Sequence, residues 1–290
     1  MVSQNEPFSA EAVRAAVADV PFIREVVYLP ATGSTNDVAH RLASQGAPHA
    51  TLIVTDDQTA GRGRMGRAWY MPPRAALAMS LLVRPDLAAR YANRLTMLAG
   101  LAAAEGVEQA TGLAVKLKWP NDVVVEIGDW GLEIGDWRLE VGGQAAGHTL
   151  GVKKVGGILT ETSILGDAIE YAVVGIGLNV NVDFAGQPEL TETATSIMLQ
   201  LGREVDRLSV LAAVVDRFAE RYEWLNKGGA LRAAWSERLV TLQRHVEARV
   251  GDSVLTGWAE AVDDDGALLL RAGDGSVHRL LAADVTLREP

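Results

Sequence analysis

Between Gln58 and Pro85 the chain places Arg62, Arg64, Arg67, Arg74 and Arg84 and no carboxylate, although its formal charge is -10. The first three lie in Gly61-Arg62-Gly63-Arg64-Met65-Gly66-Arg67. Glycines let main-chain N–H groups approach an anion closely, and guanidinium groups offer forked donors that suit carboxylate and phosphate. The segment therefore reads as an anion-wrapping loop. The acidic balance of the whole argues against a broad nucleic-acid footprint, and no helix-turn-helix, zinc-knuckle or RNP-like segment supplies a local one.

Other segments carry polar chemistry at defined spacing. Ser34-Thr35-Asn36-Asp37 opens a helix, where Ser34 with Asp37 fits a capping box and the same short polar side chains could instead line a ligand pocket. Lys118-Trp119-Pro120-Asn121-Asp122 is a turn between apolar strands, either an ordinary turn or polar chemistry held on rigid supports. Lys154 stands at the mouth of an apolar, glycine-containing strand, Val155-Gly156-Gly157-Ile158-Leu159. Asn179 and Asn181 are expected on one face of a strand running over 171–182, bonded either to a ligand or to neighbouring backbone.

Gly61-x-Gly63-x-x-Gly66 matches the dinucleotide fingerprint in form, with Asp86 at a ribose-binding distance. Its context refuses that reading. A dinucleotide loop must open a helix, whereas this one runs into Trp69-Tyr70-Met71-Pro72-Pro73 and then an apolar strand.

The elements that must position these residues follow from periodicity. Helices are predicted over 9–20, from Ser34 to about Ser44, over 90–111 with Leu95, Leu98, Ala99, Ala102 and Ala103 in register, over 208–224 and over 231–240. Strands are predicted over 26–29, 51–55, 75–83, 115–119, 123–125, 153–161 and 171–182. After Arg244 the texture changes to short alternating strands divided by Asp263-Asp264-Asp265-Gly266 and Gly273-Asp274-Gly275, hairpin chemistry that reads as a small antiparallel barrel. Residues 126–151 form a glycine-rich, acidic excursion in which Glu126-Ile127-Gly128-Asp129-Trp130 is echoed by Glu133-Ile134-Gly135-Asp136-Trp137.

A chain of 290 residues, 48% hydrophobic and 22% charged, has room for one large domain and one small one. Zero cysteines exclude disulfides, thiolate nucleophiles and cysteine-ligated metals, and the five histidines show no ligand spacing. Neither a secretory signal nor a membrane span is visible, so the expected location is cytoplasmic.

In order along the chain, Gly33-Ser34-Thr35-Asn36, Gln58 with the arginine loop and Trp69, Lys118-Trp119-Pro120-Asn121-Asp122, Lys154-Val155-Gly156-Gly157-Ile158-Leu159 and Gly175-Ile176-Gly177-Leu178-Asn179 resemble the biotin protein ligase family. The resemblance covers roughly residues 28–290. It implies an α/β (α+β) fold: a mixed, largely antiparallel sheet with helices like that of class II aminoacyl-tRNA synthetases, followed by an SH3-like barrel. The catalytic domain is then expected over 1–243, with its core at about 28–225, and the barrel over 244–290.

The resemblance also implies the reaction. Biotin and MgATP give biotinyl-5'-AMP and pyrophosphate, and the acyl group then passes to one lysine of a biotin carboxyl carrier protein domain. By the family pattern Lys154, Arg62 and Arg64 are catalytic. Ser34, Thr35, Asn36, Gln58, Arg62, Gly63, Arg64, Lys154 and Gly156 bind biotin. Arg62, Arg64, Arg67, Trp69, Lys118, Asn121, Asp122 and Asn179 bind ATP and the adenylate, and Asp122 assists Mg²⁺.

Two departures stand out. Relatives commonly carry a basic residue where this chain has Met65, and the 126–151 excursion exceeds what the family needs. No winged-helix segment of the DNA-binding members precedes the catalytic region, so the chain resembles the ligase-only kind, acting without DNA or membrane as a monomer or homodimer. Rival readings are a lipoate protein ligase, a non-catalytic biotin sensor and a nucleotide-dependent dehydrogenase.

Overall fold

The computed structural model describes residues 8–127 and 151–287. The internal echo expected within 126–151 falls, from 128 to 150, outside the described residues. In chain order the elements are α1 (Ala10–Ala16), β1 (Glu25–Leu29), α2 (Thr35–Ser44), β2 (Thr51–Thr55), β3 (Leu77–Val83), α3 (Asn93–Thr111), β4 (Lys116–Lys118), β5 (Asp122–Ile127), β6 (Gly151–Leu165) and β7 (Ala168–Leu178). There follow α4 (Pro188–Thr191), α5 (Ile197–Leu201), α6 (Arg207–Asn226), α7 (Arg232–Arg238), β8 (His245–Val250), β9 (Ser253–Val262), β10 (Leu268–Arg271), β11 (Val277–Leu280) and β12 (Asp284–Leu287).

The first seven strands form one mixed sheet in the order β1-β2-β3-β7-β6-β5-β4. Only β1 and β2 run parallel; every other pairing in it is antiparallel. At its centre all of β3 is buried, and the period of two divides its side chains between two layers. Leu77, Met79, Leu81 and Val83 join Leu95, Leu98, Ala102 and Phe218 in the main core under α3 and α6, while Leu82 packs with Val38, Ala39 and Ala43 of α2. Each buried Leu, Met, Val or Phe of this set contributes about 1.5–3 kcal/mol.

Gly106 brings α3 against α6 so closely that a Cβ there would lie 2.6 Å from the Val214 backbone. Gly112, at φ +77°, ends α3 in the left-handed conformation that stops a helix. Among the described residues no helix is long and apolar enough to cross a membrane.

The C-terminal strands form a separate antiparallel sheet, β11-β10-β9-β8-β12. Its β9–β10 turn is wedged against the first layer. Asn93 Nδ2 donates to Asp265 O at 2.9 Å, Arg94 pairs with the Asp265 carboxylate at 2.9 Å, and Trp119 Nε1 donates to Gly266 O at 2.8 Å.

Two expectations need correction. Ser34 occupies the N-cap of α2 but makes no side-chain capping bond, so there is no capping box; a different helix-end donor, the Thr35 N–H, is satisfied by Gln58 Oε1 at 2.9 Å. Asn179 and Asn181 do not share a strand face, because β7 ends at Leu178. Both bind backbone: Asn179 Nδ2 donates to Thr195 O, and Asn181 brackets Val205 through its N–H and C=O. Asparagine amides readily close irregular chain in this way.

Candidate active site

A cavity of about 1150 Å³ opens on the sheet, floored by β3, β6 and β7 and walled by the arginine loop, the 118–122 turn and β12. It brings together Ser34, Thr35, Asn36, Gln58, Arg62, Gly63, Arg64, Arg67, Trp69, Lys118, Asn121, Asp122, Lys154 and Asn179, all expected from the sequence. Gly156 is the exception. It is Gly157 that lines the cavity, because successive strand residues face opposite ways, and a Cβ on Gly156 would instead strike Leu178 Cδ2 at 2.5 Å and Gly177 O at 2.7 Å. Its missing side chain serves strand packing.

One end of the cavity is a neutral polar cluster. Ser34, Thr35 and Asn36 are only 3–4% exposed, so each needs partners. The Thr35 N–H donates to Gln58 Oε1 at 2.9 Å, and Thr35 Oγ1 lies 3.3 Å from the same oxygen. The hydroxyl of Ser80, buried inside β3, reaches Thr35 Oγ1 at 2.8 Å and Asn36 Oδ1 at 2.7 Å. Asn36 Nδ2 donates to Glu161 Oε2 at 2.6 Å. Ser80 and Glu161 escaped sequence reasoning. A serine within Leu77-Ala78-Met79-Ser80-Leu81-Leu82-Val83 was the available signal, since a polar group in a fully buried strand must be bonded.

The arginine loop is tied down at several points. Gly63 N–H donates to Arg67 O at 2.7 Å and Trp69 N–H to Gly61 O at 2.9 Å. Met65, at φ 56°, takes a left-handed conformation and exposes its side chain. Arg62 pairs with Asp37 at 2.6 Å and with Glu161 at 3.3 Å; its hydrogen bond to Asp37 holds that carboxyl below its ordinary range. Arg64 instead finds the neutral Asn121 Oδ1 at 3.3 Å, and burial draws its guanidinium below its ordinary value. An arginine's ordinary value lies so far above neutrality that it remains a cation. Arg67 reaches across to Asp284 of β12.

A second cationic group lines the same cavity. Lys154 Nζ lies 2.5 Å from Asp122 Oδ1 and 5.5 Å from the Trp69 ring centroid. Lys118 stands on the adjoining strand, where burial depresses its pKa against the opposing pull of Asp122. Asn121 is fixed by Ile158, its Nδ2 donating to Ile158 O at 2.7 Å and its O accepting from Ile158 N–H at 2.9 Å. Trp69 lies over Gly177, where a Cβ would be 3.0 Å from the indole, and its Nε1 is buried without a hydrogen-bond partner.

Asp122 is engaged by Lys154, and among the described residues no group of three His, Cys, Asp or Glu side chains could hold a metal ion. The donors present do not form a dedicated magnesium site. Chemically, the cavity offers short neutral donors and acceptors at Ser34, Thr35 and Asn36 and, around the 118–122 turn, Lys154 shared with Asp122, Arg64 without a carboxylate at hydrogen-bond distance and the flat Trp69 ring. That arrangement suits an acid with a polar head and a phosphate-bearing co-substrate.

A family model described as "Biotin/lipoate A/B protein ligase family" matches residues 28–179, and one described as "Biotin protein ligase C terminal domain" matches residues 241–288. The bifunctional ligase/repressor BirA of Bacillus subtilis is 32% identical over 267 residues, spanning 91% of this chain and 74% of that protein. The biotin–[acetyl-CoA-carboxylase] ligase of Paracoccus denitrificans is 34% identical over 253 residues, 85% of this chain and 94% of its own. Among solved structures, the biotin protein ligase from Aquifex aeolicus in complex with biotin and ATP superposes with a TM-score of 0.71 at 26% identity, covering 92% of this chain and all of that one.

Proposed function

This chain belongs to the biotin protein ligase family, and from that premise we propose that it condenses biotin with MgATP to biotinyl-5'-AMP and pyrophosphate, then transfers the acyl group to a lysine of a biotin carboxyl carrier protein domain. The observation that carries the reading is that Arg64 and Lys154 converge on one turn, Arg64 through Asn121 and Lys154 through Asp122, in a cavity that Ser34, Thr35 and Asn36 also line.

Two anions must meet for the first step, and fixed cations lower the cost of that approach without forming bonds themselves. Lys154 and Arg64 hold the biotin carboxylate against the α-phosphate. The carboxylate oxygen attacks phosphorus, the P–O bond to the β-phosphate breaks, and pyrophosphate leaves with the electron pair. Trp69 stacks on the adenine or the adenylate edge. Lys118, Arg67, Asn121, Asp122 and Asn179 line the phosphate and ribose end. Magnesium arrives on the ATP phosphates as part of that substrate.

At the neutral end, Ser34, Thr35, Asn36 and Gln58 meet the ureido ring, whose carbonyl accepts and whose two N–H groups donate. Arg62 acts at this end, since two carboxylates already share its charge. In the second step the carrier lysine attacks the acyl carbonyl and AMP leaves; the mixed anhydride is already activated, so no enzyme nucleophile is required.

The same reading divides the chain at 243/244 into a catalytic domain and a C-terminal one, and places the reaction in the cytoplasm with ATP. The match of residues 241–288 to a biotin-specific C-terminal model favours biotin over lipoate. Incubation with biotin, MgATP and a carrier domain, followed by intact mass, tests it. One added biotinyl group on the carrier, dependent on ATP, is the expected result, and an unmodified carrier refutes it.

A further inference from the structure

Glu161 has no part in the roles above, yet three side chains converge on it. Asn36 Nδ2 donates to its Oε2 at 2.6 Å, the Arg62 guanidinium lies 3.3 Å from Oε1, and His40 Nε2 lies 3.5 Å from Oε2. Asn36 Nδ2 also reaches Leu159 O at 3.3 Å. Both amide hydrogens of Asn36 are thereby committed to protein oxygens. On the opposite side of the amide, Oδ1 accepts from Ser80 Oγ at 2.7 Å.

A flipped amide would turn its oxygen toward the Glu161 carboxylate and the Leu159 carbonyl, two acceptors with no hydrogen to offer. The Glu161 charge makes that orientation strongly unfavourable. A carbonyl oxygen carries two lone pairs, of which Ser80 takes one, and Asn36 lines the cavity. What Asn36 presents to a ligand is therefore an acceptor.

We propose that Glu161 is a positioning residue for head-group selection: by locking the Asn36 amide it makes this end of the cavity complementary to a ring N–H, and unreceptive to an acid whose head carries no donor. The assignment rests on the ligase reading above and adds to it the residue that sets the polarity of the head-group site. A ligand without a ring N–H displaces water from the second lone pair of Asn36 Oδ1 and offers no hydrogen in return, so discrimination here comes from the ligands that leave that lone pair unmet.

The test is calorimetric titration of biotin, desthiobiotin, which keeps the cyclic urea, and lipoate, which lacks it, into the unaltered protein, Glu161→Leu, Glu161→Gln, Asn36→Ala and the Asn36→Ala/Glu161→Leu pair. Glu161→Leu is expected to weaken biotin and desthiobiotin alike by at least about tenfold while ATP affinity stays within about twofold. Glu161→Gln restores most of the affinity, because its side-chain carbonyl still accepts from Asn36. The double variant binds biotin no more weakly than Asn36→Ala alone, the signature of one residue acting through the other.

Unchanged biotin affinity in Glu161→Leu, additive losses in the double variant, or a parallel loss of ATP affinity and thermal stability would each overturn the assignment. Failure of the unaltered protein to bind biotin is a different result: it removes the ligase reading itself, and this assignment with it.

Discussion

Lys154 Nζ sits 2.5 Å from Asp122 Oδ1, so the cation that meets the reacting acids is already shared with a carboxylate on the neighbouring strand. Removing the lysine does more than subtract a positive charge; it leaves Asp122 without its ion-pair partner where two further anions must bind. Lys154→Ala is expected to lower kcat/KM for biotin-dependent pyrophosphate release by roughly 10²–10³-fold. Adding Asp122→Asn should recover part of the lost ATP affinity. A double variant weaker in ATP binding than Lys154→Ala would show that Asp122 helps bind ATP rather than repelling it.

Arg64 and Arg62 differ in what neutralises them, and their variants should differ accordingly. Arg64→Gly removes the loop cation that lacks a carboxylate partner at hydrogen-bond distance, so the adenylate is retained less well and escapes. Mass spectrometry of a bystander protein in the reaction should then find biotin on many lysines. Label confined to the carrier would remove the retention role from Arg64.

Lys118 is predicted to trade stability for binding. Burial lowers its pKa in the folded chain, so between that value and the ordinary lysine value the unfolded state binds more protons, and stability rises with pH across that window. Below the window the charged form carries the full penalty. Lys118→Met should therefore raise the melting temperature at pH 7, with the advantage shrinking as pH climbs toward about 10.5. The same variant should raise KM for ATP by roughly tenfold or more, the loss of a charged hydrogen bond to phosphate. Calorimetry across pH and steady-state kinetics check the two halves separately.

Gly266 links the second sheet to the active-site turn. Its carbonyl accepts from Trp119 Nε1 at 2.8 Å, its φ is +76°, and a Cβ would meet Met97 Sδ at 2.6 Å and Asn93 Nδ2 at 2.8 Å. Gly266→Ala combines backbone strain with overpacking and should cost about 1–3 kcal/mol in stability. Because Trp119 adjoins Asn121 and Asp122, KM for ATP should rise more than KM for biotin. Equal shifts in the two constants would confine the turn to a structural role.

Much of this site was legible from residue types and order because its parts are local. The arginine loop, the 118–122 turn and the glycine strands each announce themselves within a few residues, and the apolar runs in Leu77–Val83 and Asn93–Thr111 follow from elements buried on more than one side. The misreadings arose where partners are distant in sequence. Ser34 and Asp37 have the spacing of a capping box, yet Ser34 makes no capping bond and the first helical N–H, of Thr35, is met by Gln58 from 23 residues away. Glu161 looked like an ordinary strand carboxylate because Asn36 and Arg62 reach it from 125 and 99 residues away. Asp284 belonged, by sequence, to a separate barrel, whereas β12 closes one side of the cavity and pairs with Arg67.

The floor of the cavity consists largely of side chains that are not there. A Cβ on Gly175 would lie 2.4 Å from Asn36 Oδ1, one on Gly177 3.0 Å from the Trp69 indole, and one on Gly157 3.2 Å from Lys154 Cε. Depth at these three positions is already at its maximum, since nothing smaller than hydrogen can replace what the floor displays. Engineering for a bulkier acid must therefore begin at the walls, and a drift from glycine to alanine beneath the ligand can only make the enzyme more restrictive.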